Sequence, residues 1–136
     1  MLAVIGRIVR LAAAILPLAL VSPALAVGLG PLTNEGVIDG PRKAFQLTLY
    51  NPYPEAVAFR AYAVGIDDET PQERVMILPA TTTLGPNVSR RLIIIATDLT
   101  VGEIYRFRVC AERATPPEGI QINARVCSKM SAHRLG

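Results

Sequence analysis

Residues 44–50, AFQLTLY, alternate between apolar and polar side chains: Phe45, Leu47 and Leu49 on one parity, Gln46 and Thr48 on the other. A period of two is the signature of a half-buried strand. The same reading applies to EIYRFRV (103–109), where Tyr105, Phe107 and Val109 oppose Arg106 and Arg108. AVAFRAYAV (56–64) is apolar enough for a central strand buried on both faces, and RVMIL (74–78) and RRLIIIA (90–96) are β-rich runs. In GIQINARVCSKM (119–130), Ile120, Ile122, Ala124 and Val126 fall in step, which predicts a last strand. EGVID (35–39) reads as a first edge strand. Between these runs stand NPYPE, DDETPQE and TLGPN, whose Pro, Gly and Asn residues mark turns. No stretch carries a 3.6-residue period. Seven short strands at this spacing predict an all-β fold, a seven-stranded immunoglobulin-like β-sandwich, with a closed barrel as the alternative closure.

The first residues follow a different pattern. Arg7 and Arg10 precede an apolar run, Leu11 to Val21, and SPALA ends in a small-x-small pattern at Ala24 and Ala26. That order predicts a cleaved signal peptide over residues 1–26 and one domain over residues 27–136. The run is short and broken by Pro17, so no membrane span is expected after cleavage. Export also changes the charge. The chain has 14 Lys and Arg against 11 Asp and Glu, a formal +3, and the leader holds two of the arginines. The remaining balance is near neutral, which gives counterion release little to act on and argues against a nucleic-acid partner.

The leader decides how the two cysteines are read. Cys110 shares the parity of Arg106 and Arg108, and Cys127 that of Gln121, Asn123, Arg125 and Lys129. In an antiparallel hairpin both lie on one outward, polar face, close enough to be bridged. An oxidising compartment preserves such a bond, so a Cys110–Cys127 disulfide is expected. Structural zinc would need four ligands, and His133 is the only histidine, so no metal is expected. Serines beyond the leader occur only at 89, 128 and 131, the last two within the segment that holds His133, which does not favour a catalytic triad. Asp67, Asp68 and Glu69 are consecutive and read as a solvated turn. The expectation is a binding or structural module, not an enzyme, without a cofactor.

EGVIDGPRKAFQLTLYN resembles the opening of the amino-terminal domain of PapD-like periplasmic pilus chaperones: an edge strand, a turn, an alternating strand and an Asn, here Asn51. FRAYA is similar to the family's third strand, with Tyr62 where a Trp is usual. ILPATTTLGPNVSRRLIII is similar to its proline-containing loop and following strand, through Leu84, Pro86 and Arg91. The resemblance covers one of the family's two domains. It implies a periplasmic protein that lends its last strand to an incomplete pilus or other surface-fibre subunit, by strand addition, and that meets an outer-membrane usher. The lent residues would be Ile120, Ile122, Ala124 and Val126. Lys129 falls where the family's strand lysine anchors the subunit's terminal carboxylate, while Glu35 occupies the position of the partnering arginine. A branch of the family also carries a disulfide between its last two strands. The alternative function is a single-domain structural or adhesion module of the envelope, in which the same alternate residues face the domain's own core.

Overall fold

The computed structural model describes residues 27–115 and 124–136. The predicted leader, Ile120 and Ile122 therefore lie outside the described residues. The architecture is all-β, as the alternation predicts, with two sheets packed face to face. Among the described residues there are nine strands rather than seven: β1 (Gly28–Gly30), β2 (Thr33–Ile38), β3 (Lys43–Tyr50), β4 (Val57–Gly65), β5 (Val75–Leu78), β6 (Thr81–Leu84), β7 (Ser89–Ala96), β8 (Ile104–Arg113) and β9 (Val126–Arg134). The four-stranded sheet runs β1-β3-β7-β5 and the five-stranded sheet β2-β9-β8-β4-β6.

The core lies between the inner parities. Phe45, Leu47 and Leu49 of β3 and Leu92 and Ile94 of β7 face Phe59 of β4, Phe107 and Val109 of β8 and Met130 of β9, all buried. The register explains the packing: Phe45 stands opposite Ile94, and Leu47 opposite Leu92. Such inward layers bury apolar area at about 25 cal/mol per Å², the main driving term for a sandwich. Asn51 ends β3 inside this layer. Its buried amide donates to the carbonyls of Glu55, Leu84 and Gly85, and its Oδ1 accepts the Tyr53 amide, so one side chain satisfies two turns.

Three expectations are corrected. The short β1 and β6 were missed because a Gly-Leu-Gly segment and a threonine run carry little apolar alternation. Strand β4 is central but not buried on both faces, since Arg60 of its outer parity is exposed. The last strand begins at Val126 and continues to Arg134, past the predicted end at Met130, because small residues (Ser128, Ala132) fill the inner face where the pattern looked polar. The turn at 67–69 is exposed, as expected, and Glu69 within it also carries ion pairs.

The first strands switch sheets. β1 pairs antiparallel with β3, and two residues later β2 pairs parallel with β9, from Thr33 opposite Lys129 to Ile38 opposite Arg134. The Lys129 amide donates to the Leu32 carbonyl, and the Ser128 hydroxyl to the Pro31 carbonyl at 2.7 Å, which fixes where the parallel pairing starts.

Candidate functional site

The predicted functional residues converge on β9 and the segment leading into it. Ser128, Met130 and Ala132 are buried, so the even-numbered parity of β9, which Val126 shares, faces inward. Ala124 is half-buried and precedes the strand. Val126 is half-buried and packs against this domain's own core.

On its β8 side, β9 is paired throughout, from Ile104 opposite His133 to Ala111 opposite Val126. On the other side, β2 reaches only as far as Lys129. Among the described residues, no strand lies beside Val126–Ser128 on that edge. The Lys129 amide points at β2 through its bond to Leu32. In-plane direction alternates along a strand, so the backbone groups of Cys127 point the same way, at the open edge. A row of unpaired N–H and C=O groups is what an added strand engages.

Cys110 and Cys127 stand directly opposite and are joined by a disulfide, with a Cα–Cα distance of 4.0 Å. This is the close, non-hydrogen-bonded kind of antiparallel pair, consistent with the amide directions above. The shared face was read correctly from parity, but its exposure was not. Cys110 is fully buried, because on that face it is flanked by Cys127 on β9 and Tyr62 on β4. Such a bond persists in oxidising compartments.

The outer face of the same sheet carries charge in two rows. Thr33, Lys129 and Arg108 stand side by side, as do Glu35, Ser131 and Arg106. Lys129 and Arg106 are exposed, and among the described residues neither they nor Glu35 form an ion pair. They border a groove of about 250 Å³ that also touches Ile66. Arg106 was read from the sequence as part of a solvated strand face. The β8–β9 register places it beside Ser131, so this groove has two cations despite Glu35. The signal was present in the parity of EIYRFRV, which gives the face, but not in the spacing, which gives no register.

Arg108 turns away from that groove. Its guanidinium donates to the Gly65 and Asp68 carbonyls and to Glu69 Oε2 at 2.7 Å. Glu69 also accepts two bonds from Arg125, at 2.5 and 3.0 Å, and Arg125 donates to the Tyr62 hydroxyl at 3.1 Å. The two guanidiniums, Arg125 first, hold the Glu69 carboxyl down at about 2, well below the usual carboxylate range. A residue read as a solvated turn thus ties the β4–β5 loop to the start of β9. Partners 39 and 56 residues away in sequence gave no local sign of it.

No protein-family model matches the chain, and no curated protein sequence does. The fold is nonetheless that of PapD-like domains. A chain of the Salmonella enterica SafA pilin–SafB chaperone complex superposes with a TM-score of 0.68 at 18% identity, covering 84% of this chain and 57% of that one. The E. coli chaperone DraB gives 0.64 at 16%, covering 80% and 55%. The human CEP192 PapD-like domain 7 gives 0.59 at 16%, covering 85% and 93%. The chain thus spans little more than half the length of the bacterial chaperone chains it matches.

Proposed function

We propose that this protein is a periplasmic chaperone-like factor that assists assembly of pilus or other surface-fibre subunits by lending its last strand. The observation that carries the reading is the half-open β9. Among the described residues, no strand pairs with the β2-side edge of β9 at Val126 and Cys127, which follow the segment that holds Ile120, Ile122 and Ala124. A subunit lacking one strand would pair along that edge and receive alternate apolar side chains. Its C-terminal carboxylate would meet Lys129, with Arg106 as second cation in place of the arginine that Glu35 replaces. Charge-assisted bonds of this kind are stronger than neutral ones. The reaction is strand addition, with no bond made or broken and no cofactor. An outer-membrane usher would be a further partner.

Co-expression in the periplasm with a fibre subunit encoded beside the gene tests it. A soluble one-to-one complex is expected, and Ile122→Asp should abolish it while leaving the free protein folded, because an unpaired carboxylate in an apolar groove is costly. Loss of the melting transition in Ile122→Asp, with no complex formed by the parent chain, would overturn the reading.

One observation favours a second reading, a structural or adhesion module of the envelope. Val126, the one candidate donor side chain inside β9, packs against this domain's own core. In that case the strand serves its own sandwich and no subunit is captured.

A further inference from the structure

The disulfide fixes Cys127, and the ladder to β8 ends at Val126 opposite Ala111. Beyond that point β8 continues through Glu112 and Arg113 with β4 as its neighbour on the other side. Ala124 and Arg125 therefore continue past the end of the β8–β9 pairing, and what tethers them is the Arg125 side chain. That side chain is held by both carboxylate oxygens of Glu69 and by the Tyr62 hydroxyl. The paired, planar geometry fixes direction as well as proximity, which a lysine in the same place would not do.

The loop that supplies Glu69 is itself pinned. The Gly65 amide donates to the Thr70 carbonyl, the Gln72 amide to the Ala63 carbonyl, and the Thr70 amide to Asp68 Oδ1. A Cβ at Gly65 would collide with the Asp68 carboxylate and displace the oxygen that accepts the Thr70 amide. Arg108 then anchors the loop to β8 through two carbonyls and Glu69 itself. Glu69 is thus a fixed carboxylate, reached from β8 on one side and from the start of β9 on the other.

We propose that Glu69 is a positioning residue: by gripping Arg125 it holds the open half of β9 extended and aligned with the sheet, ready for a partner strand to pair with its edge. The odd-numbered side chains, Arg125 and Cys127, are both committed to this fastening on the outer face. Val126 and Ser128 face this domain's own core, so what stays available for pairing is the backbone edge. For its purpose the inference rests on the strand-lending reading; for its geometry it does not. A preorganised edge associates at lower ordering cost than a loose one.

Hydrogen exchange on the oxidised full chain tests the geometry without any partner. By the alternation above, the Val126 and Ser128 amides face β8 and report the order of this end of the strand. In Glu69→Gln and in Arg125→Gln they should exchange roughly tenfold faster through local opening, with the melting temperature held within a few degrees. Glu103→Gln, which breaks a similar grip on Arg74 at another part of the molecule, should leave both amides as they were. Unchanged exchange in both test variants overturns the inference. The second arm is capture of the fibre subunit: slower capture by Glu69→Gln, at parent stability, supports the positioning role. Equal capture by parent and variant overturns that role. If the parent captures no subunit but the amides loosen, the strand-lending reading has failed and the fastening stands.

Discussion

The two halves of β9 are held by different means. From Lys129 to Arg134 the strand lies between β2 and β8, with Met130 and Ala132 buried in the core. From Val126 to Ser128, among the described residues, it pairs with β8 alone, and a disulfide and an ion-pair cluster on its outer face add to the inward packing of Val126 and Ser128. The first half is stabilised by area removed from water, which is strong and non-directional. The second is fastened by a covalent bond and charge-assisted hydrogen bonds, which fix direction at little apolar cost.

The difference can be broken most severely from the buried half. Met130→Ala removes a side chain at the centre of the core and should destabilise by about 2–5 kcal/mol, measured by denaturant titration. In the open half the largest effect should come from the disulfide. Replacing both Cys110 and Cys127 by alanine releases a loop of 17 residues and should cost on the order of 3 kcal/mol, or be partly masked if reduction already relaxes the parent. An unchanged urea midpoint in the oxidised comparison would show that the covalent tie adds nothing to the ladder.

The charges should act more gently, and in one direction of pH. Glu69 titrates at about 2 in the folded protein against its ordinary 4.5, and Glu103, gripped by Arg74, does the same. A depressed carboxyl contributes stability above its unfolded value and loses it as the pH falls through its folded one. Stability should therefore be insensitive to these groups above about pH 4.5 and decline between there and about pH 2. The Glu69 carboxyl carbon, followed by NMR, should show its transition near 2. A transition near 4.5 would mean that Arg125 and Arg108 do not grip it in solution. The smallest effect on folding is expected from Lys129→Ala, within about 0.5 kcal/mol because the side chain is exposed. Its consequence should appear only in binding a fibre subunit, and more so when combined with Arg106→Ala.

Alternation made much of this legible beforehand. Phe45, Leu47 and Leu49, and Tyr105, Phe107 and Val109, are buried as their parity requires. The inward parity of the last strand was also correct, and so was the pairing of the cysteines. What stayed hidden has a physical pattern. Ser128 is too polar and Ala132 too small to announce an inner face, so the pattern gives the strand's phase but not its extent. Glu69 and Arg106 depend on register and on a loop folding back across the sheet. Neither is a property of any window of sequence. The resemblance in strand order carried the fold, which the superpositions bear out, and left the role of each strand residue to be tested.

The switch of the first strands from one sheet to the other sets an order of events in time. The bond from Ser128 to the Pro31 carbonyl joins residues 97 positions apart, and the whole β2–β9 pairing spans nearly the length of the domain. Contacts this distant close late, because the loop they end must first be ordered. A chain emerging amino terminus first presents β2 long before β9 exists to receive it. During that interval the inner side of Phe107 and Val109 lacks the cover that Met130 and Ala132 bring. A sandwich ordered before β9 docks is thus short of one strand beside β8, and β9 of the same chain is what completes it.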